Sequence, residues 1–293
     1  MIRVLALLCL VAPAFGYHGG PSTPGLMIRY GSSAVSMGSE AMVELPVSNH
    51  SALTDEFTKM NRPRLPAGYC PLQLWCRKSD MYRTCIFTDE TGCVAGLQFN
   101  YPCDEFTPLY DMKEQGFTIW TTSLNNQIVR FYAFYQFFVP PIAEKRIDSE
   151  DESCSVILRD TQLYYSGFGG KLSTLATSLD ELDTIYTKQN CIKWLGHQYY
   201  YNMTKDVECS ASTLSPLSAM FHNGHLVGTR ISVMGTWAKD SKYKDLYEGI
   251  NRVSGMYAVP NGPRCLFQNL RQGGLSMTFY FISTPWLISC IGD

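Results

Sequence analysis

Cysteine usage is the feature that most restricts how this chain can fold. The sequence has 11 cysteines, and removing Cys9 with the N-terminal segment would leave an even set of ten. Such a set indicates disulfide bonds formed in an oxidising compartment. Zinc binding is the alternative, but the spacings lack the paired C-x2-C motifs of structural zinc sites. The predicted disulfide cysteines are Cys70, Cys76, Cys85, Cys93, Cys103, Cys154, Cys191, Cys209, Cys265 and Cys290.

The N-terminal segment has the pattern of a secretory signal peptide. Arg3 supplies a short basic region, residues 4–11 are apolar, and small residues at Ala14 and Gly16 favour cleavage after Gly16. A buried N-terminal helix is the alternative. We therefore expect a secreted, extracellular protein. No later run reaches the roughly 18 uninterrupted apolar residues of a spanning helix, so we predict no transmembrane segment.

The charge balance restricts the class of partner. The chain has 24 Lys and Arg against 26 Asp and Glu, a formal net charge of -2. It shows neither a basic stripe suited to nucleic acid nor a polybasic segment suited to anionic lipid. We predict an extracellular protein or a glycan as partner, and no nucleic acid.

Strand-like and helix-like segments are mixed without regular βαβ alternation. This predicts an α+β fold that is sheet-rich and disulfide-stabilised. Apolar spacing predicts helices over 52–61 and 172–188, and a third from Asp240 through Val253 that stops at Gly255. Residues 131–139 are apolar on both faces, which predicts a strand covered on both sides.

Composition along the chain suggests a division into segments. We predict a signal peptide over 1–16, a lead-in with a short helix over 17–61, a cysteine-rich first lobe over 62–147 and a second lobe over 148–293. The boundary between the lobes is placed at an acidic stretch. A single continuous domain remains the alternative.

An internal duplication would make the two lobes similar. Seventeen residues separate Cys85 from Cys103, and seventeen also separate Cys191 from Cys209. The later stretches TPLYDMKEQGFTIW and SPLSAMFHNGHLVG share Pro, Leu, Met and Gly in step. The duplication predicts the disulfides Cys85–Cys103 and Cys191–Cys209, or equivalent pairings in both lobes. Chance similarity is the alternative, and the predicted helices do not match between the halves.

The sequence His222-Asn-Gly-His225 predicts a tight β-hairpin. Both central residues of a type I′ turn need positive φ, which Asn tolerates and Gly accepts freely. His222 and His225 would then face each other across the strands, at a separation that suits two ligands of one metal. Zinc needs at least one further protein ligand, and His197 is the other histidine in this half. A solvent-facing cross-strand pair is the alternative reading.

Other motifs give weaker hypotheses. The acidic run 148–152 could hold calcium but fits a solvated linker better, since it lacks the EF-hand glycine and spacing. We therefore predict no cofactor, and zinc or calcium is the alternative. Asn49 and Asn202 lie in glycosylation tripeptides. Aromatic faces can stack on sugar rings, although aromatic runs are more often core strands. The sugar-stacking candidates are Tyr199, Tyr200 and Tyr201.

These observations favour a secreted binding or structural protein of a matrix, egg, salivary or venom setting. The chain has no GxSxG elbow, HExxH helix or Cys–His signature. A secreted hydrolase, metal-assisted through His222 and His225, is the alternative function. A secreted toxin is the second alternative.

Overall fold

The computed structural model describes residues 23–31, 41–49, 56–66, 68–69, 71–124, 126–141, 154, 157–238 and 247–290. The predicted signal peptide, the acidic run 148–152, Cys70 and Asp240 lie outside them. Two α-helices are described, α1 (Arg252–Ala258) and α2 (Arg264–Asn269). The strands are β1 (Pro24–Arg29), β2 (Met42–Glu44), β3 (Phe57–Met60), β4 (Gln73–Arg77), β5 (Thr84–Thr88), β6 (Val94–Pro102), β7 (Phe106–Pro108), β8 (Thr118–Leu124), β9 (Gln127–Phe137), β10 (Gln162–Ser166), β11 (Leu172–Ala176), β12 (Tyr186–Ile192), β13 (Gly196–Tyr201), β14 (Leu217–His222), β15 (His225–Trp237), β16 (Glu248–Ile250) and β17 (Gly274–Ile282).

The described strands form two antiparallel sheets. Sheet I has the order β11-β10-β9-β6-β5-β4-β3, and β8 also pairs with β9. Sheet II has the order β12-β13-β14-β15-β17-β1-β2, and β16 also pairs with β17. Both ends of the chain contribute to sheet II, while β10 and β11 return to sheet I. The prediction of a sheet-rich fold is confirmed, because 48% of the described residues are in strands and 11% in helices.

Apolar and aromatic side chains hold the two sheets face to face. Phe99 of sheet I and Phe279 of sheet II have ring centroids 4.1 Å apart. Phe138 and Phe281 make a second aromatic contact across the layers. Each residue packed here is nearly or fully buried, and a large buried aromatic side chain is a main source of core stability. The inter-sheet core thus fixes the relative position of both sheets.

Strand β9 is covered on both of its faces, which confirms the prediction for residues 131–139. Phe134 faces the inter-sheet core and packs on Phe117 at a centroid distance of 5.1 Å. Phe137 faces the other way and stacks on Tyr69 at 3.8 Å. Tyr69 also donates a hydrogen bond to the carbonyl of Val139. The chain segment before β4 therefore covers the outside of sheet I.

The predicted helix over 172–188 is wrong, since β11 occupies its start, β12 occupies its end and no α-helix lies between them. Leu172 and Leu175 are three residues apart, so they lie on opposite faces of β11 and pack into two different cores. Leu179 belongs to a short 3-10 turn between the strands. The apolar residues whose spacing would suit one face of a helix thus lie in two strands and a turn.

The predicted helix over 52–61 is wrong in its described part, and the third predicted helix is correct only from Arg252 onward. Residues 57–60 form β3, which pairs with β4, and residues 52–55 lie outside the described range. Residues 248–250 form β16, and a helix begins only at Arg252. Gly255 lies inside this helix instead of ending it. A Cβ atom on Gly255 would come within 2.3 Å of Leu270 Cδ1, so glycine permits the close approach of α1 and α2.

Eight described cysteines pair in four disulfides, which confirms a disulfide-stabilised fold. The bridges Cys85–Cys103 and Cys191–Cys209 expected from a duplication are wrong. Cys85 lies directly opposite Cys76 on the neighbouring strand and bonds to it. Cys103 has no disulfide partner among the described residues. The disulfide pairings of the two halves are not equivalent, and the duplication is not confirmed. The observed bridges are Cys76–Cys85, Cys93–Cys154, Cys191–Cys290 and Cys209–Cys265.

Neither described α-helix has the length and apolar character that crossing a bilayer would require. Each has fewer than two full turns and packs beside the outer face of sheet II, the face that turns away from sheet I. The helices α1 and α2 therefore cover part of a sheet surface, and that surface carries the site described next.

Candidate functional site

A row of polar side chains crosses the outer face of sheet II. Directly opposed residues of neighbouring strands share a face. The alternate residues of β15 and β17, such as Ile231 and Met277, point into the inter-sheet core. The two faces of this sheet therefore differ sharply in polarity. The row follows the strand register through Tyr200, Ser218, Arg230, Thr278 and Arg29.

Glu248 joins this row from the short strand β16. Its Oε2 atom lies 3.1 Å from Arg230 Nη2 and 4.0 Å from Arg29 Nη1. Arg230 Nη2 also donates a hydrogen bond to Ser276 Oγ at 2.7 Å. The side chains of Arg29 and Arg230 are each 7% exposed, and that of Glu248 is 17% exposed. Two buried cations therefore share one carboxylate, and we call these three residues the cavity cluster.

A cavity of about 180 Å³ separates the cavity cluster from the two helices. Arg29, Arg230 and Glu248 line its buried end, while the exposed residues Lys193 and Tyr257 stand at its rim. The space between is mainly apolar. Its walls include Leu195, Met203, Leu214, Val233, Leu266 and Leu270.

The buried end of the cavity carries an excess of positive charge. Burial lowers the pKa of Arg230, but Glu248 and then Tyr200 raise it by more, so the net shift is upward and the guanidinium stays charged. Burial raises the pKa of Tyr200, which therefore stays neutral. With Arg29 also cationic, the cluster has two positive charges and one negative charge. An uncompensated buried charge is costly and favours the arrival of an anion.

Three buried polar atoms of cavity-lining residues have no hydrogen-bond partner among the described residues, and one of them, Glu248 Oε2, is ion-paired with Arg230. Arg230 Nε is buried and donates no hydrogen bond to any described residue. Ser232 Oγ, two residues further along β15, is in the same situation. Both residues line the cavity. Buried polar groups in folded proteins are nearly always satisfied, so an unsatisfied pair at a cavity indicates a place for a ligand or for ordered water.

The helical cover of the cavity is held in place at both helices. The side chain of Asn251 accepts from the amide of Ser254, forming a capping box at the start of α1. Near the end of α1, the Tyr257 carbonyl accepts from Asn190 Nδ2 at 2.6 Å. The Cys209–Cys265 disulfide ties α2 to the loop after β13. These contacts keep the cavity open at a defined size.

The predicted hairpin at His222 and His225 is confirmed. His222 ends β14, His225 begins β15, and their Cα atoms are register partners. Asn223 and Gly224 have φ values of 50° and 79°, as the type I′ turn requires. His197 lies on the adjacent strand opposite Phe221. No group of three metal-ligating side chains occurs within the described ranges, and metal binding by His222 and His225 stays a prediction.

The remaining candidate residues lie apart from the cavity cluster, with one exception. Tyr199 is 7% exposed and packs in the inter-sheet core, whereas Tyr200 is 9% exposed and lines the cavity. Tyr201 is half-buried. The glycosylation candidate Asn202 is exposed with φ 44°, and Asn49 is half-buried. The stacking role and both modifications stay predictions.

A second cavity lies between the loop after β7 and the β8–β9 hairpin. Its volume is about 660 Å³, and it is lined by residues that include Tyr110, Asp111, Lys113 and Tyr132. These are loop and hairpin residues, and Asp111 and Lys113 are exposed. No buried ion pair faces this space, among the residues that the structure places. The smaller cavity over sheet II is therefore the stronger candidate site.

Sequence reasoning missed the cavity cluster because its members come from three distant strands. Arg29 lies in PGLMIR and Arg230 in HLVGTRISVMGTW, each a single charge within an apolar run. A cation inside a strand-like apolar run is the signal that could have singled them out. Glu248 is one of 26 acidic residues, and nothing in its spacing connects it with either arginine.

Comparisons with known proteins found no matching family model, no matching curated protein and no matching solved structure.

Proposed function

We propose that the protein is a secreted binding protein whose cavity over sheet II holds a small organic anion with an apolar body. The observation that carries the proposal lies at the buried end of an apolar cavity. There, the two positive charges of Arg29 and Arg230 are balanced by only one negative charge, that of Glu248. Such sites combine apolar walls with a few polar groups that fix the orientation of the ligand.

The chemistry of arginine favours a carboxylate as the acidic group. A guanidinium presents several donors in a planar fork and matches the two oxygens of a carboxylate. Arg230 Nε has no acceptor among the described residues, and it lies at the cavity. A ligand carboxylate would supply that acceptor and balance the second positive charge. Ser232 Oγ is available for a further hydrogen bond.

The size of the cavity limits the apolar part of the ligand. An apolar cavity of about 150 Å³ accommodates a molecule such as benzene. The cavity here is about 180 Å³ and opens beside Lys193 and Tyr257. It therefore suits a single ring or a medium-length alkyl chain, and a longer chain would extend past the rim. Octanoate is a suitable probe.

The disulfides are consistent with the extracellular setting that we propose. Four bridges in one chain are typical of an oxidising compartment. The matrix, egg, salivary and venom settings all remain open under this proposal. A hydrolase acting through His222 and His225 and a toxin stay alternatives.

Calorimetric titration with octanoate and octanol tests the proposal. We expect octanoate to bind roughly 10- to 100-fold more tightly, because a hydrogen bond to a charged group contributes about 1.5–3 kcal/mol. Arg230→Met should abolish this difference. Arg130→Met is the matched control, since that side chain is 60% exposed on the β8–β9 hairpin. Equal affinities for acid and alcohol, or equal losses in the two variants, would contradict the proposal.

A further inference from the structure

The helix α1 presents an apolar face to solvent. Val253, Met256 and Tyr257 are 78%, 48% and 61% exposed. Their spacing of three and four residues places them on one side of the helix. The buried residues Gly255 and Ala258 are on the other side, which packs toward α2 and the cavity. The apolar side chains of a surface helix usually point inward, so α1 has an additional apolar face that nothing covers within the described residues.

The chain around this face is basic. From Gly249 to Gly273 it contains three arginines and no acidic residue. Arg252, Arg264 and Arg271 are exposed, and none forms an ion pair with a residue in the described part of the chain. The three are spread over 20 positions, which is why the sequence shows no polybasic segment. Arg252 begins α1, Arg264 begins α2 and Arg271 follows α2, so all three belong to the two-helix cover of the cavity or lie next to it in the chain.

We infer that the exposed face of α1 docks on an anionic lipid surface. Basic side chains around exposed apolar residues are the pattern of helices that lie in a membrane interface. Each cation near an anionic leaflet adds to the attraction, and a charge-free apolar face enters the boundary between headgroups and acyl chains. The charge of the cover thus complements an anionic surface.

The docking face is continuous with the cavity. Ser254 and Tyr257 of α1 line the cavity, while Val253 and Met256 of the same helix do not. A surface-bound molecule would therefore bring the rim of the cavity against the lipid. The docking itself does not depend on the proposed function. Its biological role does rest on that function, because the role we infer is the transfer of an amphipathic acid between lipid and cavity.

Sedimentation with lipid vesicles tests the docking. Wild-type protein should partition at least tenfold more strongly onto vesicles of phosphatidylcholine with phosphatidylserine than onto phosphatidylcholine alone, and high salt should remove the difference. The double variant Val253→Ser/Met256→Ser should lose at least tenfold in partitioning. The matched control is Ile119→Ser/Ile128→Ser, since these side chains are 57% and 79% exposed on the β8–β9 hairpin.

A charge variant and a solution titration separate this inference from the proposed function. Arg252→Gln/Arg264→Gln/Arg271→Gln should partition onto both vesicle types equally weakly. None of these arginines lines the cavity, so octanoate affinity in solution should match wild type in this variant and in Val253→Ser/Met256→Ser. Octanoate binding without lipid-dependent partitioning would overturn the docking alone. Partitioning without octanoate binding would overturn the proposed function alone.

Two further outcomes would overturn the docking. The hairpin control could lose as much partitioning as the α1 variant, which would show that no particular face is used. Sedimentation of the protein without lipid could instead reveal a dimer that Val253→Ser/Met256→Ser dissociates. In that case the exposed face of α1 would be covered by a second copy of the chain.

Discussion

Two clusters of arginine and carboxylate side chains occur in different elements of the fold and are built differently. In the cavity cluster, two arginines share one carboxylate beside an open space. The second cluster, which we call the turn cluster, surrounds the β4–β5 turn. There each arginine has its own carboxylate. The members of the turn cluster are Glu56, Arg77, Asp80, Arg83 and Glu105.

Aromatic rings fill the space around the turn cluster. The guanidinium of Arg77 lies 5.3 Å from the ring centroid of Tyr30, and that of Arg83 lies 5.8 Å from the ring centroid of Tyr247. Such contacts add a favourable interaction with the cation. Asp80 accepts hydrogen bonds from the Arg83 amide and the Tyr30 hydroxyl. None of these groups lines either of the two cavities described above. Buried arginine therefore stabilises the fold in one place and is available to a ligand in the other.

The same substitution should have different consequences in the two clusters. Arg83→Met removes the buried guanidinium and its ion pair with Glu105, and we expect the free energy of unfolding to fall by about 3–5 kcal/mol. Arg230→Met should cost less than half as much, because Arg29 remains close to Glu248. Urea denaturation of both variants measures this. Equal losses would remove the distinction between the two clusters.

The pH dependence of stability should reflect the turn cluster. Burial raises the pKa of Asp80 to about 6, although hydrogen bonds from Tyr30 and Thr84 and the nearby charge of Arg77 oppose the shift. The folded protein therefore keeps a proton that the unfolded chain has already released. Stability should fall on the order of 2 kcal/mol as pH rises from about 4 to about 6, at about 1.4 kcal/mol per pKa unit.

Asp80→Asn isolates this effect. Asparagine has a similar shape but does not titrate. Its amide oxygen can accept the hydrogen bond from the Arg83 amide, whereas its amide nitrogen replaces the oxygen that accepts from the Tyr30 hydroxyl. The variant should therefore lack the decline between pH 4 and 6 while octanoate affinity at neutral pH stays unchanged. An unaltered pH profile, measured by urea denaturation at a series of pH values, would show that Asp80 does not carry the effect.

Removing the carboxylate from the cavity cluster should strengthen anion binding. Glu248→Gln leaves both arginines without their shared counter-charge, so the cavity has two positive charges and no negative one. We expect octanoate affinity to rise roughly tenfold, which corresponds to about 1.4 kcal/mol. Octanol affinity should stay unchanged. Weaker binding of octanoate in the calorimeter would mean that Glu248 takes part in holding the ligand.

Tyr247 lies beside Glu248 in sequence, but its ring contacts Arg83 of the turn cluster, so it tests how independent the two clusters are. Its hydroxyl donates to the carbonyl of Asn100 in the buried interior. Tyr247→Phe should lower the free energy of unfolding by about 1 kcal/mol through loss of this hydrogen bond. Octanoate affinity should not change. A shift in affinity would show that the two clusters are coupled through the β16 strand.

Locally determined features were the ones that sequence reasoning predicted. The turn at Asn223 and Gly224 depends on which residues accept positive φ, and that property is visible in four letters. The coverage of residues 131–139 on both faces followed from the apolar residues that the sequence places on both faces of the strand. The presence of disulfides followed from the cysteine count, but their pairing depends on strand register, as the opposed positions of Cys76 and Cys85 show.

Features that depend on tertiary pairing could not be predicted. Leu172 and Leu175 show helical spacing, yet strand pairing with β10 decides their conformation. The candidate site is even harder to predict from the sequence. Arg29 and Arg230 become neighbours only because both lie opposite Thr278 on the two sides of β17. No local pattern reports that register, so the cavity appears only in the folded molecule.

A crystal structure with a bound ω-bromoalkanoate would test the central claim most directly. We predict an anomalous bromine peak between Leu266 and Leu270, with the carboxylate of the same molecule within hydrogen-bond distance of Arg230 Nε. A bromine peak at the exposed rim with the carboxylate on Lys193, or a carboxylate placed against the turn cluster, would contradict the account.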